Sequence, residues 1–105
     1  MDIWALFEVF PDGDGNIVTD LLSVWGTLDD AKEAAIQQEQ EFDKKYSRLY
    51  YPPSGLFVIG NKFEQCSKRT CIGNRSDFEI YFRDNLAIDR FFLIEKLTMS
   101  IGSGN

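Results

Sequence analysis

The sequence contains no histidine and only two cysteines, and each scarcity removes a class of function. Without histidine the commonest general base near neutral pH is missing, so Ser-His-Asp and Cys-His catalysis are excluded. A zinc ion needs four ligands, usually cysteine or histidine, and Cys66 and Cys71 supply two. The same pair is too small for the disulfide framework of a secreted mini-protein. No phosphate-binding loop or dinucleotide fingerprint occurs. No apolar run approaches the roughly 20 residues of a membrane span. The opening MDIWALFEVF has an acid at Asp2 and no basic segment, so it does not read as a signal peptide, and a cytoplasmic location is expected. The expectation is a chain that is not an enzyme and carries neither cofactor nor metal.

What is present points to a packed domain. The 105 residues include nine phenylalanines and are 44% hydrophobic, which argues for a real core. One domain over residues 1–101 is expected, with 102–105 (GSGN) as a flexible tail. The net charge of −6 is unevenly distributed. Residues 1–43 hold eleven acids against the single base Lys32, whereas residues 44–105 hold ten bases and six acids. An acidic first half faces either the basic half of the same chain or a basic partner.

Helical periodicity is clear only in TLDDAKEAAIQQEQEFDKKYSRL, residues 27–49. At 100° per residue Leu28, Ala31, Ala35, Phe42, Tyr46 and Leu49 fall in one stripe, with Gln38 and Glu39 read as an interruption. Thr27 is a good N-cap, and Asp29, Asp30 and Glu33 near the start with Lys44, Lys45 and Arg48 near the end suit the helix dipole. Glu41 is spaced to pair with Lys45. The pair Pro52-Pro53 follows the predicted end.

The rest reads as strands and turns. Asp2–Phe10 is apolar on both sides, so it is expected to be covered on both faces. PDGDGN (11–16) is a turn signal and Ile17–Trp25 completes a hairpin. Leu56–Ile59 reads as a short buried strand, and residues 60–76 as irregular. Residues 77–85 alternate, with Phe78, Ile80 and Phe82 on one side, and are read as a strand. Residues 90–98 form the last strand. The expected fold is α+β: an antiparallel sheet of four or five strands in the order β-β-α-β-β-β, with one helix packed on one face.

Candidate sites follow from these placements. Asp12, Asp14 and Asn16 resemble the opening of a calcium loop, but Ile17 stands where a glycine is needed and Ser23 where a bidentate glutamate is needed. A hairpin turn accounts for them instead. Cys66 and Cys71 read as free thiols or as a small loop staple. Lys62, Lys68, Arg69 and Arg75 form a basic loop with which a nucleic-acid accessory protein would contact phosphates, although the chain as a whole is acidic. Trp4, Phe10, Trp25, Tyr50 and Tyr51 exceed what one helix covers; they either fill the core beside the 63–76 loop or leave a sheet face for a partner or a homodimer.

In size, acidity, aromatic content and lack of catalytic residues the chain is similar to small phage-encoded inhibitors, anti-CRISPR proteins among them. That likeness is one of composition and carries over no residue. It implies a non-enzymatic module that binds a partner protein through a basic, possibly nucleic-acid-holding, surface. The residues expected to engage such a surface are Asp12, Asp14, Asp29, Asp30, Glu33 and Glu41. Nucleic acid itself is the alternative partner, and no membrane is expected.

Overall fold

A computed structural model describes residues 1–46, 63–85 and 90–98, giving the backbone alone for Tyr46 and 82–85. The elements are β1 (Asp2–Pro11), β2 (Ile17–Trp25), α1 (Leu28–Tyr46), β3 (Glu64–Ser67), β4 (Thr70–Ile72), α2 (Arg75–Asn85) and β5 (Phe91–Thr98). The five strands form one sheet in the order β2-β1-β5-β4-β3. The class is α+β, as expected, but the sheet is mixed: β4 pairs with β5 in parallel, while the other neighbours are antiparallel.

The parallel pair and the second helix have one cause. Parallel neighbours cannot be joined by a tight turn and need a crossover. Here α2 is that crossover, and it occupies the residues expected as a strand. Period-two alternation of Phe78, Ile80 and Phe82 is overruled by a start signal at Asn74. The Asn74 side-chain oxygen accepts the N–H groups of Ser76 and Asp77 at 2.9 and 3.2 Å, and its carbonyl accepts that of Phe78 at 3.0 Å. An asparagine in that role is an N-cap. In the helix Phe78 is fully buried and Ile80 is 57% exposed, which a strand would not allow. Glu95 then takes the Arg75 N–H at 2.8 Å, anchoring the first turn of α2 to β5.

The stretch read as irregular contains the β3–β4 hairpin, turning at Lys68-Arg69. The strand expected at 56–59 and the end of the helix at 47–49 lie outside the described residues. The N-terminal hairpin and last strand agree with expectation. β1 is central, paired with β2 on one side and β5 on the other.

Two apolar layers lie on opposite faces of the sheet. On one, Ala31 and Ala35 of α1 pack against Leu6, Phe92 and Ile94, with Trp4 and Trp25 beside them. On the other, Phe78 of α2 and Phe63 pack against Phe7, Val9, Phe91 and Leu93. The alanines let α1 approach the sheet closely, as their place in the stripe requires. Thr27 caps α1, its hydroxyl accepting the Asp30 N–H at 3.1 Å. Trp4 and Trp25 are cross-strand neighbours, so two of the surplus rings form part of the α1 layer.

Glu39 is buried, in the middle of the α1 stripe rather than interrupting it. One of its carboxylate oxygens accepts the Ser67 hydroxyl, the Arg69 N–H at 2.8 Å and the Thr70 hydroxyl at 2.6 Å. This pins the β3–β4 turn to α1. Beside it Arg69 is fully buried, its guanidinium 4.6 Å from the Phe42 ring centre and 5.7 Å from that of Phe91. It also donates to the Arg90 carbonyl at 3.0 Å.

Two substitutions distinguish this architecture from an all-strand reading of 77–85. Phe78→Ala is expected to cost about 3–5 kcal/mol in urea unfolding and Ile80→Ala within about 0.5 kcal/mol of neutral. Similar losses at both positions would contradict the helix. Glu39→Ala, which leaves two buried donors and a half-buried one without their acceptor, is expected to cost about 3 kcal/mol or more by the same measurement.

Candidate functional site

The six acids expected to form one binding surface fall in different places. Asp12 and Asp14 lie in the β1–β2 turn, at the end of the sheet where Pro11 pairs with Ile17. Asp29, Asp30 and Glu33 are exposed on the first turns of α1, beyond the opposite end where Trp4 pairs with Trp25. At about 3.3 Å per residue, seven steps of strand separate the two ends by roughly 23 Å. Glu41 is exposed near the far end of α1 and pairs with Lys44 at 3.5 Å, not with Lys45.

Asp12 has a local duty. Its side-chain Oδ1 accepts the N–H groups of Asp14 and Asn16 at 2.8 and 2.9 Å, and its own N–H donates to the Asn16 carbonyl at 2.8 Å. The backbone N–H of Asn16, then that of Asp14, holds its carboxyl below the usual aspartate range. Gly15 supplies the positive φ of +84° that the turn needs. The loop is thus closed on itself as a hairpin turn, and among the described residues no group of three or more acids and cysteines is placed to hold a metal.

The first turns of α1 do form a surface with shape. Trp25, Asp30, Glu33, Ala34 and Gln37 line an open groove of about 190 Å³ beside β2. The Trp25 indole N–H donates to the Ser23 hydroxyl at 2.7 Å, which fixes the ring at the groove wall. A second cleft of about 270 Å³ opens farther along α1, with Glu8, Gln38, Glu41, Phe42 and Arg90 among its walls. In this cleft Arg90 pairs with Glu8 at 3.0 Å and lies 4.3 Å from the Phe10 ring centre.

The basic residues are dispersed rather than gathered. Lys62 lies outside the described residues. Lys68 pairs with Asp43 at 3.2 Å, and Arg69 is interior. Arg75 is on the other face of the sheet, 3.4 Å from Glu95 and with its guanidinium 4.7 Å from the Phe7 ring centre. Lys96 pairs with Asp2 at 3.3 Å and lies against Trp4. By contrast Asp14, Asp20, Asp29, Asp30 and Glu33 have no cationic partner among the described residues. The sequence signal for this difference was faint. Only the absence of any base before Lys32 hinted that these acids would stay unpaired.

Cys66 and Cys71 are both free thiols, on adjacent strands but facing opposite sides of the sheet. Cys66 belongs to the α1 layer and Cys71 to the α2 layer, so a staple between them does not form. Burial pushes both thiols up, Cys71 far more than Cys66.

No protein-family model, curated protein or solved structure matches this chain. Among the described residues no helix is long and apolar enough to cross a membrane.

The thiols give a pH-dependent prediction. In the unfolded chain they ionise near their ordinary value of 9.0, whereas the fold keeps them protonated to higher pH. Their contribution to stability is therefore complete below pH 9 and falls as pH rises above it. The urea midpoint is expected to drop above that pH, and less steeply in Cys71→Ala. In the native protein at pH 8, iodoacetamide is expected to alkylate Cys66 faster than Cys71, and both more slowly than in urea.

Proposed function

We propose that this chain is a non-enzymatic protein-binding module that engages a basic surface of a partner protein, with an inhibitory role of the anti-CRISPR type. One observation carries the reading: the described cations are mostly held by the chain's own acids or its core, while a set of acids is not. Lys44, Lys68, Arg75, Arg90 and Lys96 are in ion pairs and Arg69 is buried. Asp29, Asp30 and Glu33 remain exposed beside the groove at Trp25. Such a surface attracts positive charge over a Debye length of about 8–10 Å, speeding encounter with a basic partner.

The same observation weighs against nucleic acid as the direct ligand. A phosphate-binding face needs several cations free of internal partners, and Lys68, Arg69 and Arg75 are each engaged elsewhere. A basic surface that normally holds nucleic acid is the kind of partner that the exposed acids complement.

The test is affinity capture from host lysate followed by binding measurements on the captured partner. The triple variant Asp29→Lys, Asp30→Lys, Glu33→Lys is expected to bind at least about tenfold more weakly, a loss of roughly 1.4 kcal/mol. Lysines at a helix N-terminus also disfavour the helix, so Asp29→Asn, Asp30→Asn, Glu33→Gln serves as the milder companion, checked by circular dichroism. Undiminished binding by both variants would refute the role of these acids.

A further inference from the structure

We propose that the outer edge of β2 accepts an extended segment of the partner, alternating apolar and Lys or Arg residues, as a sixth strand of the sheet. This rests on the protein-binding reading above and specifies how the partner is held.

The two edges of the sheet are built differently. β3 is four residues long, and the Gln65 side chain folds back to donate to its own strand's Ser67 carbonyl at 3.1 Å. Short edges of this kind resist further pairing. β2 is nine residues long and pairs only with β1, leaving its other side without a strand among the described residues. Its sequence IVTDLLSVW contains no lysine or proline to discourage an incoming strand.

The β2 edge is also apolar where it is most open. Leu6 faces Ser23 and Phe7 faces Leu21, so Leu22 is an extra residue bulged out of the ladder. The bulge places three apolar side chains within four residues at the surface, Leu21, Leu22 and Val24 being 57%, 36% and 47% exposed. An added strand would cover them while its main chain bonded to that of β2.

Charge selects the occupant. Asp20 is exposed on β2 itself, Asp14 lies beyond one end of the strand, and Asp29, Asp30 and Glu33 lie beyond the other. No base occurs before Lys32. A second copy of this chain would bring these acids against their own likes and set two bulged edges together, so it fits poorly. A flexible basic segment matches the charge and can bend to follow the bulge. Its reach along β2 is about 30 Å at roughly 3.3 Å per residue.

The probe is a capped nonapeptide alternating lysine and valine, with its glutamate–valine counterpart as control, titrated into ¹⁵N-labelled protein at low salt. The lysine peptide is expected to slow amide exchange within Ile17–Trp25 severalfold and leave the central strand β5 unchanged. Leu21→Lys with Val24→Lys is expected to weaken binding at least about tenfold while preserving the circular dichroism spectrum, because both side chains are already exposed. Binding that leaves the β2 amides unchanged would overturn the sixth strand and leave the basic-partner reading intact. Absence of binding, or equal binding of the glutamate peptide, would also overturn it, whereas the reading beneath it stands or falls on the captured partner and the acid variants. A concentration-dependent dimer in light scattering that the Leu21→Lys, Val24→Lys variant abolishes would assign the edge to a second copy and refute the proposal.

Discussion

A single carboxylate oxygen holds the two halves of this fold in register. Glu39 projects from the middle of α1 and receives two hydroxyls and a main-chain N–H from the β3–β4 turn. A carboxylate can be buried when its lone pairs are satisfied in this way, and it is costly when they are not. Because Thr70 lies directly beside Phe92 in the parallel ladder, the clamp also sets where β4 joins β5. The α1 layer, the short hairpin and the parallel pair therefore depend on one interaction. Arg69, enclosed by Phe42 and Phe91 at the same turn, adds a cation–π contact to the join.

That arrangement changes the meaning of the basic stretch 62–75. Four cations within fourteen residues look like a phosphate-binding loop when only spacing is considered. Folding separates the three that are described: Arg69 packs into the interior, Lys68 turns to Asp43, and Arg75 crosses to Glu95 on the far face. The acidic half behaves in the opposite way, keeping several carboxylates exposed along β2 and the start of α1. Net charge alone cannot distinguish these cases, since it says nothing about which charges neutralise one another.

The main departure from the pattern-based reading has a compact origin. Residues 77–85 alternate as a strand does, but they also place Phe78 and Tyr81 three apart on one helical face, and both pack in the α2 layer. A nine-residue window satisfies both periods. Asn74, with its side chain free to cap, decides for the helix. Once α2 is a helix it becomes a crossover, and β4 and β5 come to lie parallel rather than antiparallel. That ambiguous window accounts for the error in the number of helices and in strand direction, and the unread β3–β4 hairpin accounts for the rest of the difference in strand order.

The amino-acid sequence by itself determined the α+β class, the first hairpin with its Asp12 turn, the capped helix from Thr27, and the two-sided burial of β1. Each of these rests on local chemistry: a cap, a turn residue, or a periodicity long enough to admit one reading. Only the tertiary structure decided that Glu39 belongs to the buried stripe, that Arg69 is interior, that Cys66 and Cys71 face opposite layers, and that among the described residues β2 is a long edge strand. Each of these depends on which distant segment lies alongside, and contacts between residues some 30 positions apart, such as Glu39 with Thr70, leave no trace in local spacing.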